Sequence, residues 1–153
     1  MNRMAAYALG AAIASLVYIA WTAVDFPPPG GLGFRLGLAL SFWLVEGFSV
    51  TLLLVGTLWI LAVRLYRGSW RSGWAYFAMV GAVLTFAIGC AAASLSPKPL
   101  FIEDQTFFEG ARIAAERQGV CFTVAGILLG LTYWFLAEKG RSSVRKGKAS
   151  PGS

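Results

Sequence analysis

One carboxylate, Glu46, stands in "FWLVEGFSVTLLLVG" (42–56), a stretch that is otherwise apolar or only weakly polar. A charged side chain in hydrocarbon costs about 2.5–3.5 kcal/mol on insertion scales, so an acid there is by default a functional candidate. Three roles suit it. It can pair with a basic residue, for which Arg117 and Arg112 are the candidates. Protonated, it can hydrogen-bond a hydroxyl such as that of Thr85 or Thr123 on a neighbouring helix. At the midplane it can bind a cation or proton as a transport site. Arg35 lies eleven residues earlier, roughly 16 Å along a helix, which makes it a poor partner. We take the first role, with Glu46 an outer-leaflet acid that keeps the second and fourth spans in register.

The chain contains no histidine. That removes the commonest metal ligand and any imidazole acid–base chemistry. The two cysteines, Cys90 and Cys121, are too few for a zinc or iron–sulfur cage without histidine. If the third and fourth spans are neighbours, these thiols can form a disulfide that clasps the outer loop; free buried thiols are the alternative. A membrane thiol oxidoreductase needs a C-x-x-C pair, which is absent from the sequence. The carboxylates Glu103, Asp104, Glu109 and Glu116 have no loop pattern that would fix them as a cation site. Glu109, Arg112 and Glu116 instead follow helical spacing as an ion-pair ladder on a solvated face. No catalytic residue, metal site or cofactor is therefore assigned.

The elements that must hold these residues are membrane helices. Of the 153 residues 58% are hydrophobic and 13% charged, against about 25% charged in globular chains, so the apolar surplus must face lipid. Four runs are long enough for a core of about 30 Å, which takes around 20 helical residues: 4–24, 36–63, 74–95 and 119–137. Only helices satisfy every backbone group within such a segment. Pro- and Gly-rich or polar stretches at 25–33, 64–73 and 96–99 punctuate them. The expected fold is an all-α integral membrane protein, a four-helix up-down bundle (1–138) with a short outer amphipathic helical segment and a disordered basic tail (139–153). An A-x-A at Ala12–Ala14 imitates a cleavage site, but the first run continues unbroken beyond it, so an uncleaved anchor is expected.

Nine basic residues flank one side of this threading (Arg3, Arg64, Arg67, Arg71, Lys139, Arg141, Arg145, Lys146 and Lys148) and four the other (Arg35, Lys98, Arg112 and Arg117). The positive-inside rule then puts both termini in the cytoplasm, with a bacterial inner membrane the expected location. Tyr18 and Trp21 are expected in the outer aromatic belt. Trp59, Tyr66, Trp70, Trp74, Tyr76, Tyr133 and Trp134 are expected at the inner surface. Small residues at four-residue spacing (Ala6, Gly10 and Ala14; Ala78 and Ala82; Gly126 and Gly130) would let helix backbones approach.

Outside the spans, Thr106-Phe-Phe-Glu109 fits a capping box, so the last helix is expected to begin near Phe107. Gly119 could then break it into a surface and a spanning part. Phe101, Ile102, Phe107 and Phe108 form an outer interaction surface for lipid or another protein. The implied partners are the bilayer, another membrane protein or a second copy, and anionic headgroups at the basic tail, with no nucleic acid. The function expected is that of a non-catalytic accessory, assembly or interaction subunit of a membrane complex. The alternative is a small dimeric proton- or cation-coupled transporter that uses Glu46.

Overall fold

The computed structural model describes residues 2–25, 31–45, 48–66, 70–95 and 106–138. Among these every regular element is helical: α1 (Arg3–Asp25), α2 (Leu32–Val45), α3 (Phe48–Leu65), α4 (Trp70–Leu95) and α5 (Phe107–Tyr133), which runs on into a π-helical turn, Trp134–Glu138. Four helices are long and apolar enough to cross a membrane, over Arg3–Asp25, Phe48–Leu65, Gly73–Leu95 and Phe107–Ala137. Length and composition of this kind point to an integral membrane protein.

The run 36–63, expected as one span, carries two described helices. α2 ends at Val45 and the 18-residue α3 begins at Phe48. Between them stand Glu46 and Gly47, which lie outside the described residues. α3 alone qualifies as a candidate span, while Leu32–Leu44 is a shorter apolar helix.

α5 is uninterrupted across Gly119. Thr106 caps it: its hydroxyl accepts from the Glu109 N–H at 3.4 Å, and the Glu109 carboxylate accepts from the Thr106 N–H at 3.0 Å. This reciprocal box satisfies two of the N–H groups that a helix start leaves open. The break considered at Gly119 does not occur: no proline intervenes, and Gly119 is buried against Phe86 of α4, where packing holds the helix on course.

α4 and α5 pack antiparallel, with their backbones in contact. A β-carbon added at Gly81 would fall on the Gly126 carbonyl, and one at Gly130 on the Phe77 carbonyl. One at Gly126 would stand 2.6 Å from the Gly81 carbonyl carbon and 2.8 Å from Ala82 Cα. Glycine is required at these crossings because lipid provides no hydrophobic drive between helices and close approach must supply the cohesion. The same pairing continues to Ser94 of α4, which faces Gly110 of α5. α1 joins through its stripe of Ala6, Gly10, Ala14, Tyr18 and Thr22, all buried; Gly10 lies against the backbone of Leu129. α3 is tied to α1 by the Tyr7 hydroxyl, which donates to the Leu52 carbonyl. It is tied to α4 by the Tyr76 hydroxyl, which donates to the Ala62 carbonyl at 3.0 Å.

Candidate functional site

These pairings give the helix assembly two unlike ends. At the Trp134 end, aromatic side chains fill the space between α3, α4 and α5. Trp59 meets Tyr133 edge-on at 5.3 Å and Phe77 at 5.8 Å, and Tyr66 lies 4.8 Å from Tyr76 and 5.0 Å from Phe77. Trp59 is 2% exposed and Tyr133 1%. Both were expected in an interfacial belt and are instead core. Trp and Tyr serve either place, since each joins a large apolar body to a polar handle. Trp74, at 52% exposed, remains on the surface.

At the other end three rings from three helices lie nearly parallel. Tyr18 of α1 stacks on Phe48 of α3 at 4.4 Å and 5°. Phe122 of α5 follows, 6.0 Å from Phe48 and 6.2 Å from Tyr18. α4 makes room for Phe122 with Gly89, where a β-carbon would stand 2.8 Å from the ring. Tyr18, expected in the outer belt, is likewise buried. Beside the stack is a pocket of about 10 Å³, room for about one water, lined by Tyr18, Phe48, Thr51, Gly89, Ala93, Gln118 and Phe122. It is smaller than the roughly 300–1,000 Å³ of small-molecule sites. Its three polar residues, Tyr18, Thr51 and Gln118, suit water or a small cation rather than an organic substrate.

Thr51 and Gln118 were not singled out in the sequence. The signal was present in principle, since Gln118 directly adjoins the last apolar run. With the span drawn from Gly119, however, an amide one residue before it reads as solvent-facing. Thr51 has the ordinary look of a helix hydroxyl. Phe48, which lines the pocket, follows Glu46 by two residues in the sequence. Glu46 itself lies outside the described residues, as do Phe101, Ile102, Glu103, Asp104 and the tail 139–153.

Of the proposed partners of Glu46, Arg112 pairs within its own helix, with Nε 3.3 Å from Glu116. Arg117 is exposed and makes no ion pair with another described residue. The Thr123 hydroxyl donates to Gly119 of its own helix at 2.7 Å, the local bond that serine and threonine form inside helices. Thr85 is fully buried between Gly81 and Gly89 of α4, and its hydroxyl has no partner among the described residues. The ladder expected from Glu109 through Arg112 to Glu116 takes a different form: Glu109 caps the helix, and the ion pair is Arg112–Glu116.

Cys90 and Cys121 are both free and buried, so the clasp across α4 and α5 is not formed. Phe107 and Phe108 are 44% and 81% exposed. No group of three or more potential metal ligands occurs among the described residues. The fold and the site therefore define a class, a small all-helical protein with four apolar helices of membrane-spanning length. Comparison with protein-family models, curated proteins and solved structures finds no match to the chain.

Proposed function

We propose that the chain is a polytopic membrane protein, its four long helices an up-down bundle, acting as a non-catalytic accessory, assembly or interaction subunit of a membrane complex. The observation that carries this reading is the continuous α5. Its outward face changes character along its length. It exposes Phe107, Phe108, Glu109, Arg112, Glu116 and Arg117 before Gly119, and Val120, Val124 and Phe135 after it. An apolar face belongs in lipid and a charged one in water, so the helix crosses the outer surface near Gly119. The residues before it form an amphipathic arm outside the membrane. Residues 119–138 are then the roughly 20 needed to cross the core.

Arg3 and Arg64 stand at the other end, and with the basic residues that the sequence sets after α3 and α5 they support both termini in the cytoplasm of a bacterial inner membrane. The basic tail would attract anionic headgroups at about 1 kcal/mol per Lys or Arg. The exposed Phe107 and Phe108 fit a site for another membrane protein or a second copy. The experiment is a photo-crosslinking residue at Phe108 in the full chain, followed by purification in mild detergent. A stoichiometric crosslinked partner that disappears with F107A/F108A supports the reading. A clean monomer without crosslinks contradicts it.

The second reading, proton- or cation-coupled transport through Glu46 in a dimer, draws on the pocket of Tyr18, Thr51 and Gln118 beside Phe48. The pocket's size limits the cargo to a proton or small cation. Loss of substrate-dependent proton release in reconstituted E46Q would favour it over the accessory role.

A further inference from the structure

We propose that α3 is a rocking helix, pivoted at its Trp59–Tyr66 end, free to slide at its Phe48 end, and latched shut by the Tyr7 hydroxyl. The movement opens the pocket of Thr51 and Gln118 to water. This goes beyond both functional readings and rests on the packing alone.

Helices α1, α4 and α5 touch through their backbones. Gly81 meets Gly126, Gly130 meets Phe77 and Gly10 meets Leu129, with no side chain between them to yield. α3 is attached differently. Its one glycine, Gly56, meets the ring of Tyr7. Aromatic rings and two tyrosine hydroxyls join it to its neighbours. α3 can therefore shift against the other three helices without parting a glycine seam, as packed helices do in shear motions.

The rings at the two ends of α3 resist such a shift unequally. At the Trp59–Tyr66 end they interlock. Trp59 meets Tyr133 at 79°, and Tyr66 lies against Tyr76 and Phe77, which stand at 81° to each other. Displacement there drives ring edges into ring faces, and the Tyr76 hydroxyl holds the Ala62 carbonyl besides. At the Phe48 end the planes of Tyr18, Phe48 and Phe122 are parallel within 7°. Parallel faces slide at little cost, because offset stacking tolerates a range of displacements.

The pocket lies on this sliding boundary. Phe48 and Thr51 of α3 form one wall, and residues of α1, α4 and α5, Gln118 among them, form the other. As it stands it admits about one water. A shift of Phe48 by the roughly 1–2 Å usual for packed helices widens it. Closure is held from α1, where the Tyr7 hydroxyl donates to the carbonyl of Leu52, the residue after Thr51. That bond must be released before the Phe48 end can swing.

The test uses the full chain in lipid nanodiscs, where a water-soluble methanethiosulfonate reaches both faces, with labelling read site by site from peptide masses. Thr51→Cys and Val55→Cys replace fully buried side chains of similar size on α3. Native Cys121, fully buried on α5 one residue before Phe122, is the control at the same level. The reagent is larger than a water, so it reacts only in an opened pocket. Thr51→Cys is expected to react at least about tenfold faster than Cys121, with Val55→Cys between them, as local opening at one end requires. Adding Tyr7→Phe should speed Thr51→Cys about threefold, the factor for losing one average interhelical hydrogen bond. Thr51→Cys no faster than Cys121, equal rates at Thr51→Cys and Val55→Cys, or no response to Tyr7→Phe would each overturn the proposal. Relaxation dispersion on the unsubstituted chain gives an independent reading. Microsecond-to-millisecond exchange is expected at the Thr51 methyl and not at that of Ala125 on α5; a flat profile at Thr51 would also overturn it.

Discussion

Between α4 and α5 the contact is backbone on backbone at Gly81, Gly126 and Gly130, whereas at Tyr18, Phe48 and Phe122 three aromatic rings separate the helices that meet. The first contact has no slack. Every atom added must push the helices apart, and the cost falls on a long shared seam. The second has the thickness of side chains to adjust and leaves a small pocket beside it, where Thr51 and Gln118 gather. Cohesion and polarity are thus placed in different parts of the molecule. The seam supplies stability, and the stack leaves room for function.

Substitutions break this contrast in a definite order. Gly126→Leu should cost about 3 kcal/mol or abolish folding, since it forces the seam open; thermal unfolding in detergent, read by near-UV circular dichroism, measures it. Phe48→Ala should cost about 2 kcal/mol. It forfeits packing contacts and two ring pairs, but little transfer energy, because the unfolded reference is also in lipid. If Phe48→Ala proved costlier than Gly126→Leu, the assignment of cohesion to the seam would fall. Thr106→Ala should cost about 1 kcal/mol by removing the cap, and faster amide exchange at Glu109 and Gly110 with no change beyond Gly119 would locate the loss. Tyr7→Phe removes one interhelical hydrogen bond and should cost about 0.6 kcal/mol, the average for such bonds in membrane proteins. Glu116→Gln breaks an ion pair whose side chains are 78% and 64% exposed, and should stay within about 0.5 kcal/mol.

The sequence reveals local features best. The capping box at Thr106 and Glu109, the start of α5 at Phe107 and the small-residue stripe of α1 all depend on neighbours within one helix, and each appears in the structure. What depends on a second helix is far less visible. Gly126 and Gly130 stand out by spacing, but Gly81 gains its meaning only from facing Gly126. Trp59 and Tyr133 look like belt residues because belt and core select the same side chains; only the packing of α3 on α4 and α5 distinguishes them. Gln118 escapes notice for a related reason. Its depth follows from the seam, which sets Gly89 and Ala93 of α4 beside it around one pocket.

The account stands on the placement of α5 across the membrane, with its Phe107 end outside and both chain termini in the cytoplasm. Single cysteines at Phe108 and Asn2, probed on intact cells with a membrane-impermeant maleimide, test it directly. Labelling of Phe108→Cys alone, with Asn2→Cys reacting only after the cells are opened, is the predicted result. Labelling of Asn2→Cys on intact cells, or of neither variant until the cells are opened, would contradict it.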